Sequence, residues 1–293
     1  MTLQRGLSIE TKLDPALQPF LRDHQIEGTP LLPGVMGIEA FAEAALCLLP
    51  NWHIESVENV DFLAPVKFYR NEPRTLTIEA LVHPEGDVLV ADCRLLGNRR
   101  LVNQPDLQVT THFTGRVRLA RELSVATITA KLSSPAKALI TAADVYRVYF
   151  HGPAYQVVER AWWDGARMVA ELARNLPANH HPPQLASAVS PRLIELCFQT
   201  AGLWGLAVEG QLGLPQHVDY VRVLRAPELV VGGLYAVVTP QAQPAQFNVE
   251  VIDTDGNLYV QLRGYRTVAL PKDIDAKALK ALQAPVSLQT AAA

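Results

Sequence analysis

The sequence predicts an α+β fold of two tandem units, each a curled antiparallel sheet wrapped around one central helix. Two observations carry this expectation. An apolar helical stretch near residue 34 is followed by a run of strand-like segments, and strands in a run, rather than alternating with helices, argue against a parallel α/β sheet. The same order then recurs. From Pro33 to Asp61 is 28 positions and from Pro191 to Asp219 is also 28, with Val60-Asp61-Phe62 matched by Val218-Asp219-Tyr220. Several features sharing one offset of 158 residues mark an internal repeat.

Composition sets the outer bounds. The 293 residues are 49% hydrophobic, ample for a large core and long enough for two domain-sized units. A net charge of −3 and a pI near 6.2 give no electrostatic case for nucleic acid. Cys47, Cys93 and Cys197 are widely spaced in apolar segments, so buried, reduced thiols are expected rather than disulfides or a zinc site. No apolar run approaches the ~20 residues of a membrane span. The N-terminus, MTLQRGLSIETK, lacks a signal-peptide core. A soluble, cytoplasmic protein without membrane or nucleic-acid partners is expected.

The first unit, 1–125, is organised around Asp23 to Pro50. Pro30 and Pro33 keep the approach to a helix extended, and Pro33 suits its first turn, where a missing N–H costs nothing. Val35, Ile38, Ala42, Ala45, Leu46 and Leu49 recur at helical spacing until Pro50, with Glu39 and Glu43 on the more polar face. Strand character follows over 54–68. Arg74–Val82 and Asp87–Leu96 alternate apolar and polar residues around Pro84-Glu85-Gly86, a hairpin signal, and Val109–Leu119 is a further strand. A helix followed by such strands is the order of a hotdog fold. Residues 126–140 read as a connector.

The second unit, 141–271, repeats the plan. Ser190 is a suitable N-cap, Pro191 fits the first helical position, and an apolar helix follows. Leu234–Val238 falls over Leu76–Ala80 and Gln246–Thr254 over Val88–Leu96. The whole is thus expected to be a double hotdog. Residues 272–293 show no core face and read as a linker or tail, the edge of a larger polypeptide.

Two places carry chemistry. His24 stands before the first helix, whose N-terminal N–H groups and positive dipole end point back toward the loop. A base beside a carbonyl-polarising helix end suits removal of a proton α to that carbonyl. A lone histidine before a helix is more often a cap or a surface residue, and the surrounding string changes that reading. His24-x-x-x-Gly28-x-x-x-x-Pro33-Gly34 resembles the first motif of the dehydratase domains of polyketide and polyunsaturated fatty acid synthases. Glu195 lies at the fifth position of the second helix among apolar neighbours, where a carboxyl tends to keep its proton, with Gln199 one turn on. Ser190-Pro191-Arg192-Leu193-Ile194-Glu195-x-x-x-Gln199 is similar to the second motif of the same dehydratases, with Ser190 at the usual His and Glu195 at the usual Asp. Phe150-His151-Gly152-Pro153-Ala154-Tyr155 resembles their Tyr-Gly-Pro-x-Phe turn, with His151 at the Tyr position and Tyr155 at the Phe.

The resemblance spans about residues 8 to 271 and implies a β-hydroxyacyl dehydratase. Its catalytic residues would be His24 as base, Glu195 as acid and Gln199 holding the acid. Gly28, Pro33 and Gly34 would polarise the thioester carbonyl, and His151 and Tyr155 would contact substrate. One site drawing its base from the first half and its acid from the second is implied. No bound metal or cofactor is implied, since the substrate rides on the phosphopantetheine of an acyl carrier protein. Partners would be that carrier and other synthase domains; double hotdogs occur as monomers or dimers, so a homodimer is allowed. A product-template type cyclase, a hotdog thioesterase and a degenerate domain that docks a carrier protein are the alternatives. His180 and His181 sit in a Pro/Asn-rich loop expected at the surface, where such a loop could border an entrance, and His53, His83, His112 and His217 are expected at strand edges or turns without metal-like spacing.

Overall fold

The computed structural model describes residues 5–100, 107–122, 139–225 and 232–270, with positions 132, 279, 281 and 282 besides. The expected connector at 126–140 and tail at 272–293 fall almost wholly outside the described residues. The chain divides into two compact units. One comprises Met1–Ser124, Ala178–Pro191 and Val218–Arg222; the other comprises Val125–Pro177, Arg192–His217 and Val223–Ala293. The first unit therefore takes in two short segments from far downstream, which a division into consecutive ranges does not express.

In the first unit, β1 (Arg5–Leu13), α1 (Pro19–Arg22), β2 (Gln25–Ile26) and β3 (Thr29–Pro30) lead into α2 (Gly34–Leu48). Then come β4 (His53–Phe62), β5 (Arg74–Glu85), β6 (Val88–Arg100) and β7 (Leu107–Ala120). The strands pair antiparallel in the order β1-β5-β6-β7-β4. Period-two alternation is clearest in β6, where Ala91, Cys93 and Leu95 are buried while Asp92 and Arg94 face solvent. The solvent face is laced by cross-strand ion pairs, Arg94 with Glu79 at 2.6 Å and Arg118 with Glu58 at 2.6 Å.

The β5–β6 hairpin turns on Gly86 and Asp87 alone, with Glu85 paired to Val88 and Gly86 at φ 63°. Pro84 and Glu85, expected in the turn, belong to the strand, because a two-residue turn with left-handed backbone matches strand twist. The strand expected over 54–68 stops at Phe62.

Helix α2 packs on β4, β5 and β7. Its glycines make this approach possible. A Cβ on Gly37 would lie 2.3 Å from the Phe113 ring, and one on Gly34 would lie 2.8 Å from Phe62. Those two rings meet edge to face at 5.1 Å and form the floor beneath the helix start.

In the second unit, β8 (Ile140–Thr141) and α3 (Ala142–Val148) precede β9 (Val158–Asp164) and β10 (Arg167–Leu172). They are followed by α4 (Pro191–Glu209), β11 (Gly213–Val223), β12 (Leu234–Pro240), β13 (Gln246–Asp253) and β14 (Leu258–Ala269). The order β14-β13-β12-β10-β9-β8 is antiparallel throughout. Helix α4 lies on this sheet through aromatic contacts, Phe198 stacked on Tyr265 at 4.3 Å and Trp204 against Phe247 at 5.5 Å. The starts of β12 and β13 fall within two residues of the positions that the 158-residue offset projects from β5 and β6.

The thiols divide. Cys93 and Cys197 are buried, Cys93 with its pKa pushed up to about 12 by burial, whereas Cys47 is exposed, contrary to expectation. It sits in the last turn of α2, where the helix's buried face has ended.

Candidate active site

His24 directly follows α1, which ends at its C-cap, Asp23. The β2–β3 hairpin that comes next turns through Glu27 (φ 51°) and Gly28 (φ 74°), two consecutive left-handed residues of a primed turn. Nothing lies within 4 Å of a Cβ built at Gly28, so backbone conformation and not space calls for glycine there. The hairpin brings Leu31 back to the histidine. The Leu31 N–H donates to the His24 carbonyl at 2.9 Å, and the Leu31 carbonyl lies 2.9 Å from His24 Nδ1. A carbonyl only accepts, so Nδ1 carries a proton, and in the neutral form of the ring the lone pair lies on Nε2. Pro33 is the N-cap of α2, with φ −60° and ψ 139°, and its carbonyl accepts from Met36 and Gly37. His24, Gly28, Pro33 and Gly34 thus share one continuous loop-to-helix segment.

Glu39, read from sequence as part of the more polar face of α2, lies in the interior. It is 3% exposed, and its two carboxyl oxygens accept from the backbone N–H groups of Ala188 and Val189. Beside it, α2, β1, β5, β6 and the loop 180–187 enclose a cavity of about 360 Å³ whose wall includes Glu43, His180 and His181. Burial, opposed by those two N–H bonds, raises the Glu39 pKa from 4.5 to about 7. Between those values the folded chain holds a proton that the unfolded chain has released. The stabilisation from this proton is complete below about pH 4.5 and is lost as pH rises through about 7, a change of about 3 kcal/mol. Urea unfolding of wild type and Glu39→Gln across this window checks it: the wild-type advantage should shrink by that amount, and a pH-independent difference would contradict it.

The second cluster is built on α4. Pro191 opens the helix as expected, but Ser190 has φ 52° instead of the extended backbone of an ordinary N-cap. Glu195 is 4% exposed and Gln199 2%. Gln199 Nε2 donates to Glu195 Oε1 at 2.9 Å and to the Tyr155 carbonyl at 2.9 Å. His151 Nε2 lies 3.2 Å from the same Glu195 Oε1, its ring stacked on Phe150 at 4.4 Å. Four of the residues singled out from sequence, Glu195, Gln199, His151 and Tyr155, therefore meet in one buried network. Tyr155 takes part through its backbone carbonyl, with its side chain fully buried.

Comparison with known proteins matches residues 1–91 to the polyketide synthase dehydratase domain and residues 128–277 to the polyketide synthase dehydratase N-terminal domain. The chain belongs to the polyketide synthase dehydratase family. Polyketide synthase ThaG of Burkholderia thailandensis is 26% identical over 262 residues, which is 86% of this chain but only 4% of ThaG. Among solved structures, the dehydratase domain from the CurF module of curacin polyketide synthase aligns with a TM-score of 0.71 at 19% identity, over 90% of this chain and 94% of that one. A trans-AT polyketide synthase dehydratase domain from Brevibacillus brevis gives 0.69 at 17% identity, over 90% and 94%. The erythromycin dehydratase gives 0.64 at 20%, over 89% and 90%. The fold of this dehydratase is the double hotdog. Dehydration is the class of reaction for which the family is named.

Sequence reasoning passed over Tyr146 of α3 and Tyr149, the residue that caps its end. Tyr146 Oη donates to Gln199 Oε1 at 2.9 Å, and Tyr149 Oη donates to the Gln199 carbonyl at 2.6 Å. The available signal was a capping box, Thr141 with Asp144, opening a short helix with two tyrosines three apart just before the His151 turn. Burial is the largest of the causes that raise both phenol pKa values, so both remain donors. His112, expected at an edge, is instead buried within β7, its Nδ1 3.1 Å from the Ala64 carbonyl and its pKa lowered first by burial. Among the described residues no group of three or more His, Cys, Asp or Glu is placed to hold a metal ion, and no helix is long and apolar enough to cross a membrane.

Proposed function

We propose that this dehydratase removes water from a β-hydroxyacyl thioester carried on the phosphopantetheine arm of an acyl carrier protein, yielding an α,β-unsaturated acyl thioester. The observation that carries the reading is the buried carboxyl of Glu195 held by the Gln199 amide, 2.9 Å away. A carboxyl removed from water disfavours its charged form, which suits a group that must deliver a proton.

In the proposed cycle His24 Nε2 takes the α-proton while N–H groups around Gly28 and the Pro33-Gly34 helix start polarise the thioester carbonyl. The C–H electron pair becomes the Cα=Cβ bond, the Cβ–O bond breaks, and Glu195 protonates the departing hydroxyl to water. His24 is left protonated and Glu195 ionised, and one proton transfer restores both. The thioester already acidifies the α-carbon, so the proposed cycle draws on no metal or redox group. The carrier protein and neighbouring synthase domains are the proposed partners, and the cytoplasm the proposed compartment.

The test is incubation with β-hydroxyacyl thioesters, on carrier protein and on a short pantetheine mimic, with mass spectrometry following loss of one water and the reverse hydration of the enoyl product. Water loss supports the reading. Ring closure of poly-β-ketoacyl chains with β-hydroxyacyl substrates untouched would make it a cyclase, and release of free acid a thioesterase. Carrier binding without chemistry in either direction would leave a docking domain.

A further inference from the structure

The geometry points to Tyr146 as a positioning residue: its hydroxyl fixes the orientation of the Gln199 amide, and the amide in turn holds the Glu195 carboxyl. The inference rests on the reading of Glu195 as the acid and adds to it the residue that orients its glutamine partner.

A buried glutamine amide has two orientations of nearly the same shape, with oxygen and nitrogen exchanged, and its hydrogen-bond partners decide between them. Here two partners agree. The Tyr155 carbonyl, which only accepts, stands 2.9 Å from one end of the amide, so that end is the nitrogen. Tyr146 stands 2.9 Å from the other end. A phenol can donate or accept, but the Tyr146 oxygen already accepts from the Val158 N–H at 2.7 Å. Its hydrogen is then directed to Gln199 Oε1. The relay runs from the β9 backbone through Tyr146 to the amide, and every donor in it has one acceptor.

With the amide set, its second N–H points at Glu195 Oε1, 2.9 Å away. His151 Nε2 addresses the same oxygen at 3.2 Å. Oε1 is thus engaged by two neighbours, and a proton placed on it would be held between them.

The pin is rigid at its root. The capping box of Thr141 and Asp144 anchors the start of α3, with the Thr141 N–H donating to Asp144 Oδ2 at 3.1 Å. One turn beyond Tyr146, Tyr149 grips the backbone of the same glutamine, and only glycine at 202 admits it, since a Cβ there would lie 2.4 Å from Tyr149 Oη. Helix α3 and its C-cap therefore hold residue 199 at both its main chain and its amide.

The experiment uses the full chain with Tyr146→Phe, Gln199→Ala, the double variant, and Tyr149→Phe as the comparator for general loosening. The Glu195 carboxyl is followed by carbon NMR on glutamate-labelled protein, its signal identified by its disappearance in Glu195→Gln. Losing a donor to a carboxylate raises its pKa, so Tyr146→Phe should raise the titration midpoint in the same direction as Gln199→Ala, while Tyr149→Phe leaves it in place. In turnover, Tyr146→Phe should lower kcat about tenfold with KM unchanged, move the alkaline limb of the pH profile upward, and add nothing in the Gln199→Ala background. Additive losses, or a titration midpoint unmoved by Tyr146→Phe, would overturn the assignment. The titration needs no turnover, so a wild-type chain that dehydrates nothing would refute the proposed reaction while the role of Tyr146 was still decided.

Discussion

His24→Ala is expected to lower dehydration of a β-hydroxyacyl thioester by ~10²- to 10⁴-fold, the usual contribution of a positioned general base. The loss should fall on kcat, because the ring is proposed to act on the α-proton rather than to anchor the substrate. The fold should survive. His24 is half-buried, and its replacement removes the Nδ1–H bond to the Leu31 carbonyl while leaving the Leu31 N–H bond to the His24 carbonyl in place. A net loss near 1 kcal/mol is expected for that one side-chain bond. Water loss measured by mass spectrometry, alongside thermal unfolding, checks both parts. Full activity in His24→Ala would remove the histidine from the mechanism, whatever the fate of the rest of the proposal.

Glu195 offers a sharper pair of substitutions. Glu195→Gln keeps the shape and retains an oxygen for Gln199 to address, but has no acidic proton. Its activity should fall by ~10²- to 10⁴-fold with little change in unfolding temperature. Glu195→Asp keeps the proton and withdraws the carboxyl by one methylene. Gln199 cannot follow, because its amide is tied to Tyr146 and to the Tyr155 carbonyl. Some activity should remain, reduced by ~10²-fold, since a displacement of about 1 Å costs on that order. Equal losses in both variants would argue that the side chain is needed for packing rather than for proton delivery. The pairing of Glu195 with His151 gives this expectation a geometric basis. The resembled motifs carry a shorter acid and a longer tyrosine at these two positions, and here a longer acid meets a shorter ring at 3.2 Å.

Much of this architecture is written in local order. Hydrophobic alternation marks β5, β6 and β7 because side chains of a strand alternate between faces, and each strand has one face turned to the core. Pro33 and Pro191 mark the two helix entries because proline is tolerated where no N–H bond is lost. The burial of Glu195 is foreshadowed by Leu193, Ile194, Leu196 and Cys197, which leave that turn of α4 without a solvent face. The tandem repeat is visible because the same helix, strand and hairpin recur at nearly constant spacing.

What sequence could not supply is the pairing of polar groups that are distant along the chain. Glu39 reads as part of the more polar face of its own helix, yet the partners that pay for its burial are backbone N–H groups at Ala188 and Val189, 149 and 150 residues away. Tyr146 reads as one more aromatic residue of a short helix, and only its position 2.9 Å from Gln199 Oε1 shows what its hydroxyl is for. His112 sits in a strand whose neighbours are not encoded beside it. Hydrophobic periodicity is a property of consecutive residues and survives in one dimension. A hydrogen bond needs two groups within about 3 Å and a fixed direction. For Glu39, Tyr146 and Glu195 that condition is met only once the chain has folded.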